Sequence, residues 1–138
     1  LLLTQPQERI PIEASITEFT VDNIDCKVGN CTVKSGASMV ISVGIQSSET
    51  IENVEVHVWA VWSESRDKYQ IDESRIVSLE AGKQRMENFE TTAYCSPCAG
   101  INPGPYGMYA EISIWRFTET SADKEVLDNY ETTIYLIE

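Results

Sequence analysis

The chain is short of basic residues. Ten lysines and arginines face 22 aspartates and glutamates, with one histidine, for a formal net charge of −12. A phosphate backbone needs a basic face, so nucleic acid is excluded as a partner, and anionic membrane surfaces are disfavoured for the same reason. No apolar run approaches the ~18–20 residues of a membrane span. The opening Leu1-Leu2-Leu3 is too short for a span or for the apolar core of a signal peptide. The expectation is that a signal segment has been removed ahead of it. Helical periodicity is missing too; "SADKEVLDNY" holds one helical turn at most.

Catalytic signatures are absent as well. The sequence has no Gly-rich phosphate loop, no EF-hand and no nucleophile elbow. "VDNID" and "ADKE" read as solvated turns rather than calcium sites. His57, in "EVHVW", falls between Val56 and Val58 and faces the opposite way, beside Glu55 and Trp59. A catalytic imidazole needs an orienting carboxylate and a nucleophile, so His57 reads as a surface residue. The expectation is a protein that is not an enzyme and carries no cofactor.

What the sequence does have is alternation. Met39, Ile41, Val43 and Ile45 point one way; so do Val54, Val56, Val58, Ala60 and Trp62; so do Met108, Ala110, Ile112 and Ile114; and so do Ile134 and Leu136. Period two means half-buried strands. Further strands are expected over Ile12–Val21, Lys68–Leu79 and Met86–Tyr94. In the first, Ala14 and Ile16 alternate and then Phe19 and Val21 take over, which requires a bulge near Thr17–Glu18. Gly- and Ser-bearing turns such as "KSGAS" and "EAGKQ" separate the runs. About seven or eight short strands spaced this way make an all-β, two-sheet antiparallel sandwich. Residues 12–138 form this domain, and 1–11 form an N-terminal extension.

Four cysteines come as two close pairs, Cys26/Cys31 and Cys95/Cys98. A redox motif needs its CxxC to open a helix, and Pro103 and Pro105 forbid one after Cys98. Zinc held by four thiolates is the rival reading, but the pairs lie 64 residues apart and the domain has a core without metal. An even count in a secreted chain favours disulfides. Three connectivities exist, and two local bridges, Cys26–Cys31 and Cys95–Cys98, fit best. Asn30 begins the glycosylation sequon "NCT".

If the long second, penultimate and last strands share a sheet, Trp59, Val61, Tyr109, Trp115, Phe117, Tyr135 and Ile137 cluster on its outer face. That is too much apolar surface to leave wet. Partial burial in the core, a protein–protein interface and a flat platform for sugars are the three readings.

From about Ser35 to Leu136, "SGASMVISVGI", "IENVEVHVWAV", "VSLEAGKQ", "PGPYGMYAEISI" and "LDNYETTIYL" resemble the strand-and-turn pattern of CARDB and related Ig-like modules of prokaryotic cell-surface proteins. The chain is similar in size and layout to donor-strand filament subunits of archaea and bacteria. The resemblance implies an extracellular, non-enzymatic module for adhesion or assembly and carries over no catalytic residues. Leu1, Leu2 and Leu3, with Pro6 after them, then read as a strand donated to a neighbouring copy; folding back onto the chain's own sandwich is the alternative. The expected partners are other copies of the chain or another surface protein.

Overall fold

The computed structural model describes residues 13–138. The expected N-terminal strand, Leu1–Leu3 included, lies outside the described residues. Among the described residues nine strands form two sheets: β1 (Ala14–Val21), β2 (Ile24–Asp25), β3 (Thr32–Lys34), β4 (Ser38–Ser47), β5 (Ile51–Ser63), β6 (Lys68–Leu79), β7 (Arg85–Thr92), β8 (Gly104–Phe117) and β9 (Ala122–Ile137). A four-stranded sheet runs β2-β1-β4-β7 and a five-stranded sheet runs β3-β9-β8-β5-β6. Pairing is antiparallel except for β3, which lies parallel to β9. The result is an Ig-like β-sandwich.

The alternating residues supply the core. Met39, Ile41, Val43, Val56, Val58, Ala110, Ile112, Ile114 and Leu136 are all buried, as are Phe19, Leu79, Phe89 and Ile134. Each fully buried side chain of this size contributes roughly 1.5–3 kcal/mol. The expected bulge in β1 is present: pairing with β4 slips between Ile16 and Glu18, so Ile16 and then Phe19 both face inward. A bulge leaves backbone groups off the ladder, and here the Ile16 N–H donates to Asp128 Oδ2 of β9 at 2.8 Å.

Two expectations need correction. "SADKEVLDNY" has no helical turn, because β9 starts at Ala122 as one arm of a long hairpin with β8. Strict alternation puts Trp62 in the core and Val61 outside, and the structure reverses them. Val61 has φ of +62°, a conformation rare for a β-branched residue. It breaks the alternation, so Val61 is fully buried, Trp62 is 40% exposed and Ser63 is buried.

Where β6 meets β7, the seam between the sheets is closed by charge. Glu87 of β7 is buried and accepts from Arg75 Nη1 at 3.2 Å and from Arg85 Nε at 2.7 Å. The Arg75 guanidinium also lies 4.3 Å from the centre of the Phe89 ring.

Candidate functional site

The two outer faces differ. Over the four-stranded sheet, where Met86 is exposed, polar side chains bond to each other, Ser42 to Asn88 at 2.7 Å and Gln84 to Thr17 at 2.8 Å. The five-stranded sheet is aromatic outside, because β5, β8 and β9 do lie side by side. Register decides which rings meet. Trp59 pairs with Tyr109 across β5–β8, and Trp62 with Tyr69 across β5–β6.

The outcome is a continuous run of rings. His57 stacks on Trp59 with centroids 4.5 Å apart, and Trp59 stacks on Tyr109 at 5.5 Å. Tyr109 meets Tyr69 edge-on at 6.1 Å, and Tyr69 meets Trp62 edge-on at 4.9 Å. Gly107 makes room for this run. A Cβ there would meet ring carbons of Tyr109 at 2.8 and 2.9 Å, so the phenol lies along β8 over the glycine. Acidic groups rim the rings: Asp72 pairs with His57 Nε2, and Glu111 with Lys124 at 2.5 Å.

The expected cluster is therefore divided. Trp59 and Tyr109 come together, but Trp115 and Phe117 stack on each other at 6.4 Å near the far end of β8, where Trp115 Nε1 donates to Glu55 at 2.8 Å. Six residues of strand separate Tyr109 from Trp115, roughly 20 Å. Phe117 is 76% exposed, and Val126, opposite Ser113 on β9, is exposed as well. Tyr135 and Ile137 are exposed at the other end of β9; Tyr135 lies beside the loop that carries Asn30, itself exposed. Val61 drops out, being in the core. Tyr69 and Trp62 join the surface, although alternation signals neither: Tyr69 has the parity of buried Ile71 and Trp62 that of buried Ala60.

Cys26 and Cys31 form a disulfide that closes this loop. Lys27 within it sits 4.0 Å from the centre of the Tyr130 ring, and the Cys31 carbonyl accepts from Tyr135 N–H at 2.8 Å. The expected second bridge is not formed: Cys95 and Cys98 are free thiols. The reason lies in the backbone between them. Ser96 is extended and pairs with Ile101, and Pro97–Ala99 is a 3-10 turn. Cys95 packs against the core while Cys98 is exposed on the outside of the turn. Alkylation without reductant is expected to label two thiols, and labelling after reduction four; four labelled without reductant would remove the Cys26–Cys31 bridge. No cluster of three or more metal-ligating side chains occurs among the described residues, nor any helix long and apolar enough to cross a membrane.

Among solved structures the chain is similar to the CARDB domain of a Pyrococcus furiosus protein, at 11% identity and a TM-score of 0.53, covering 91% of this chain and 94% of that one. A second structure of that domain, in complex with di-metal ions, matches at 10% identity and a TM-score of 0.52, covering 92% and 88%. The C-terminal domain of Wzt matches at 11% identity and a TM-score of 0.64, covering 97% and 80%. A Paenibacillus cycloisomaltooligosaccharide glucanotransferase, complexed with cycloisomaltoheptaose, matches at 16% identity and a TM-score of 0.54, covering 89% of this chain but 14% of the enzyme. At these identities the likeness is one of fold, and it agrees with the CARDB-like, Ig-like sandwich expected from the strand pattern. No protein-family model and no curated protein matches the sequence.

Proposed function

We propose that this chain is a non-enzymatic, extracellular structural module that assembles with copies of itself into a surface filament. The observation that carries the reading is the outer face of the five-stranded sheet, where Trp62, Trp115, Phe117, Val126, Tyr135 and Ile137 are each at least 40% exposed. Of these, Trp115 and Phe117 stack together in the open, and an exposed apolar cluster marks a place that another molecule covers. Residues 1–11, with Leu1 to Leu3 at their head, are the donated strand. An acceptor is at hand, since β1 has a strand neighbour on its outer side only at Thr20 and Val21 among the described residues. An open edge accepts strand addition, and a head-to-tail contact of this kind propagates into a fibre. The Cys26–Cys31 bridge suits an oxidising, extracellular compartment.

Deleting residues 1–11 tests this. The truncated chain is expected to keep its β-sheet circular dichroism and to sediment as a monomer, while the full chain forms filaments under negative stain. A full chain that stays monomeric at high concentration refutes the assembly.

The alternative is a monomeric adhesion or carbohydrate-binding module. Tyr109, laid flat over Gly107, favours it, because a ring lying along a strand offers one face for stacking. So does the fold's likeness to part of a glucanotransferase complexed with a cyclic oligosaccharide. Retention on an insoluble glucan, lost on Tyr109→Ala, decides for that reading.

A further inference from the structure

The stretch "CSPCAGINPGPYG", Cys95 to Gly107, holds three prolines and three glycines in thirteen residues, and neither its free thiols nor the aromatic face accounts for it. Its place in the fold does. The Ser63 hydroxyl donates to the Ala99 carbonyl at 2.6 Å, Gly100 packs against Ser65 in the β5–β6 turn, and the Tyr106 hydroxyl donates to the Asn102 carbonyl at 2.6 Å. The segment is thus a braced wall set against the β5–β6 hairpin. Between them runs a cleft of about 470 Å³ lined by Trp62, Tyr69, Tyr106, Tyr109, Pro103 and Glu64, among others.

We infer that this cleft is an arginine-binding site, the pocket in which a protein partner places one guanidinium group. This rests on the reading of the sheet face as a protein-docking surface. Ring geometry selects the ligand. Trp62 stands at 66° to Tyr69, and Tyr69 at 70° to Tyr109. Rings at such angles make a box, whereas a sugar platform needs them coplanar. Aromatic faces carry negative potential and attract cations, Arg most often. No basic residue lines the cleft, one carboxylate, Glu64, does, and the chain carries −12 overall. A guanidinium is planar: it lies flat on one ring while its edge donates to a carboxylate in a fork, which an ammonium cannot do. The backbone supplies an independent sign. Val61 holds φ of +62°, and that outlier is what turns Trp62 out of the core and into the box. Strain of this kind persists where a site requires it.

Titration of the full chain with N-acetylarginine amide, followed by the Trp62 indole N–H in a heteronuclear NMR spectrum, tests the assignment. N-acetylcitrulline amide, of the same shape but neutral, is the control. The arginine derivative is expected to shift the Trp62 signal saturably and to bind about tenfold more tightly than citrulline, a ratio that corresponds to about 1.4 kcal/mol. Tyr69→Ala is expected to abolish the shift, and Glu64→Gln, a solvent-side change that spares the fold, to weaken it about three- to tenfold. Equal binding of arginine and citrulline derivatives, no saturable shift, or a maltooligosaccharide that saturates the same signal overturns the proposal. Sedimentation of the same samples separates the two readings. Assembly that persists without any arginine shift leaves the docking face standing and removes the box, whereas an arginine shift in a chain that never assembles does the reverse.

Discussion

Ile112→Ala is expected to lower the unfolding free energy by about 2–5 kcal/mol. Ile112 sits mid-strand in β8, fully buried, between Val56 of β5 and Asp128 of β9 in the register. Removing its outer carbons forfeits their transfer free energy and leaves a cavity, because strands bonded on both sides collapse poorly into a gap. Its neighbour Glu111 provides the contrast. It lies on the outer face and takes no side chain out of the core, so Glu111→Ala should cost less than Ile112→Ala, through loss of its partly buried pair with Lys124. Urea unfolding of both variants checks this; a loss below about 1 kcal/mol for Ile112→Ala would mean that the face does not pack as described.

That face was legible because burial on a strand leaves a period-two trace. The β1 bulge was legible for the same reason: Ile16 and Phe19 are both apolar three positions apart, which strict alternation forbids. Val61 left no such trace. Nothing in "VWAVWS" announces a positive φ on a valine, and its effect is to exchange two apolar residues that read alike. The polar start of β9 was missed because Ala122 to Glu125 bury neither face, so no alternation marks them. The aromatic face was only half legible. Which rings lie on the outside follows from alternation within a strand, but which rings meet follows from register between strands. Tyr69 and Trp62 become neighbours only through the β5–β6 pairing. The Cys26–Cys31 bridge was legible, but the Cys95–Cys98 bridge was not: two residues of spacing allow it, and the structure has an extended Ser96 followed by a 3-10 turn there.

Glu87→Ala is expected to cost about 2 kcal/mol, less than a buried ion pair at first suggests. Breaking a fully buried pair costs about 3–5 kcal/mol because the surviving charge is stranded. At the seam between β6 and β7 the carboxylate is indeed buried, with 11% of its side chain exposed, but Arg75 and Arg85 are 45% and 46% exposed. Once Glu87 is gone, both guanidiniums have water within reach, so what is lost is two charge-assisted hydrogen bonds and some packing over Phe89. A second acceptor lowers the cost further. Glu73 stands two residues from Arg75 on β6, on the same face, with its Oε2 buried and without a hydrogen-bond partner. Arg75 freed from Glu87 can swing to it, since alternate residues of one strand are roughly 7 Å apart and arginine is long enough to span that gap. The two carboxylates are therefore coupled. Glu73→Ala alone should be close to neutral, removing a carboxylate that has one unmet oxygen, whereas the Glu73→Ala/Glu87→Ala double change should cost about 1 kcal/mol more than the sum of the single changes. Glu87→Met should recover part of the loss, because an apolar chain of similar length fills the seam without a desolvated charge. Because the carboxylate is shielded from solvent, the Glu87→Ala penalty should survive at 1 M salt, where exposed pairs are screened. Strict additivity in the double-mutant cycle, or a penalty that vanishes in salt, would make the Arg75–Glu87–Arg85 cluster a surface pair and leave the seam to be closed by Phe89 and its apolar neighbours alone.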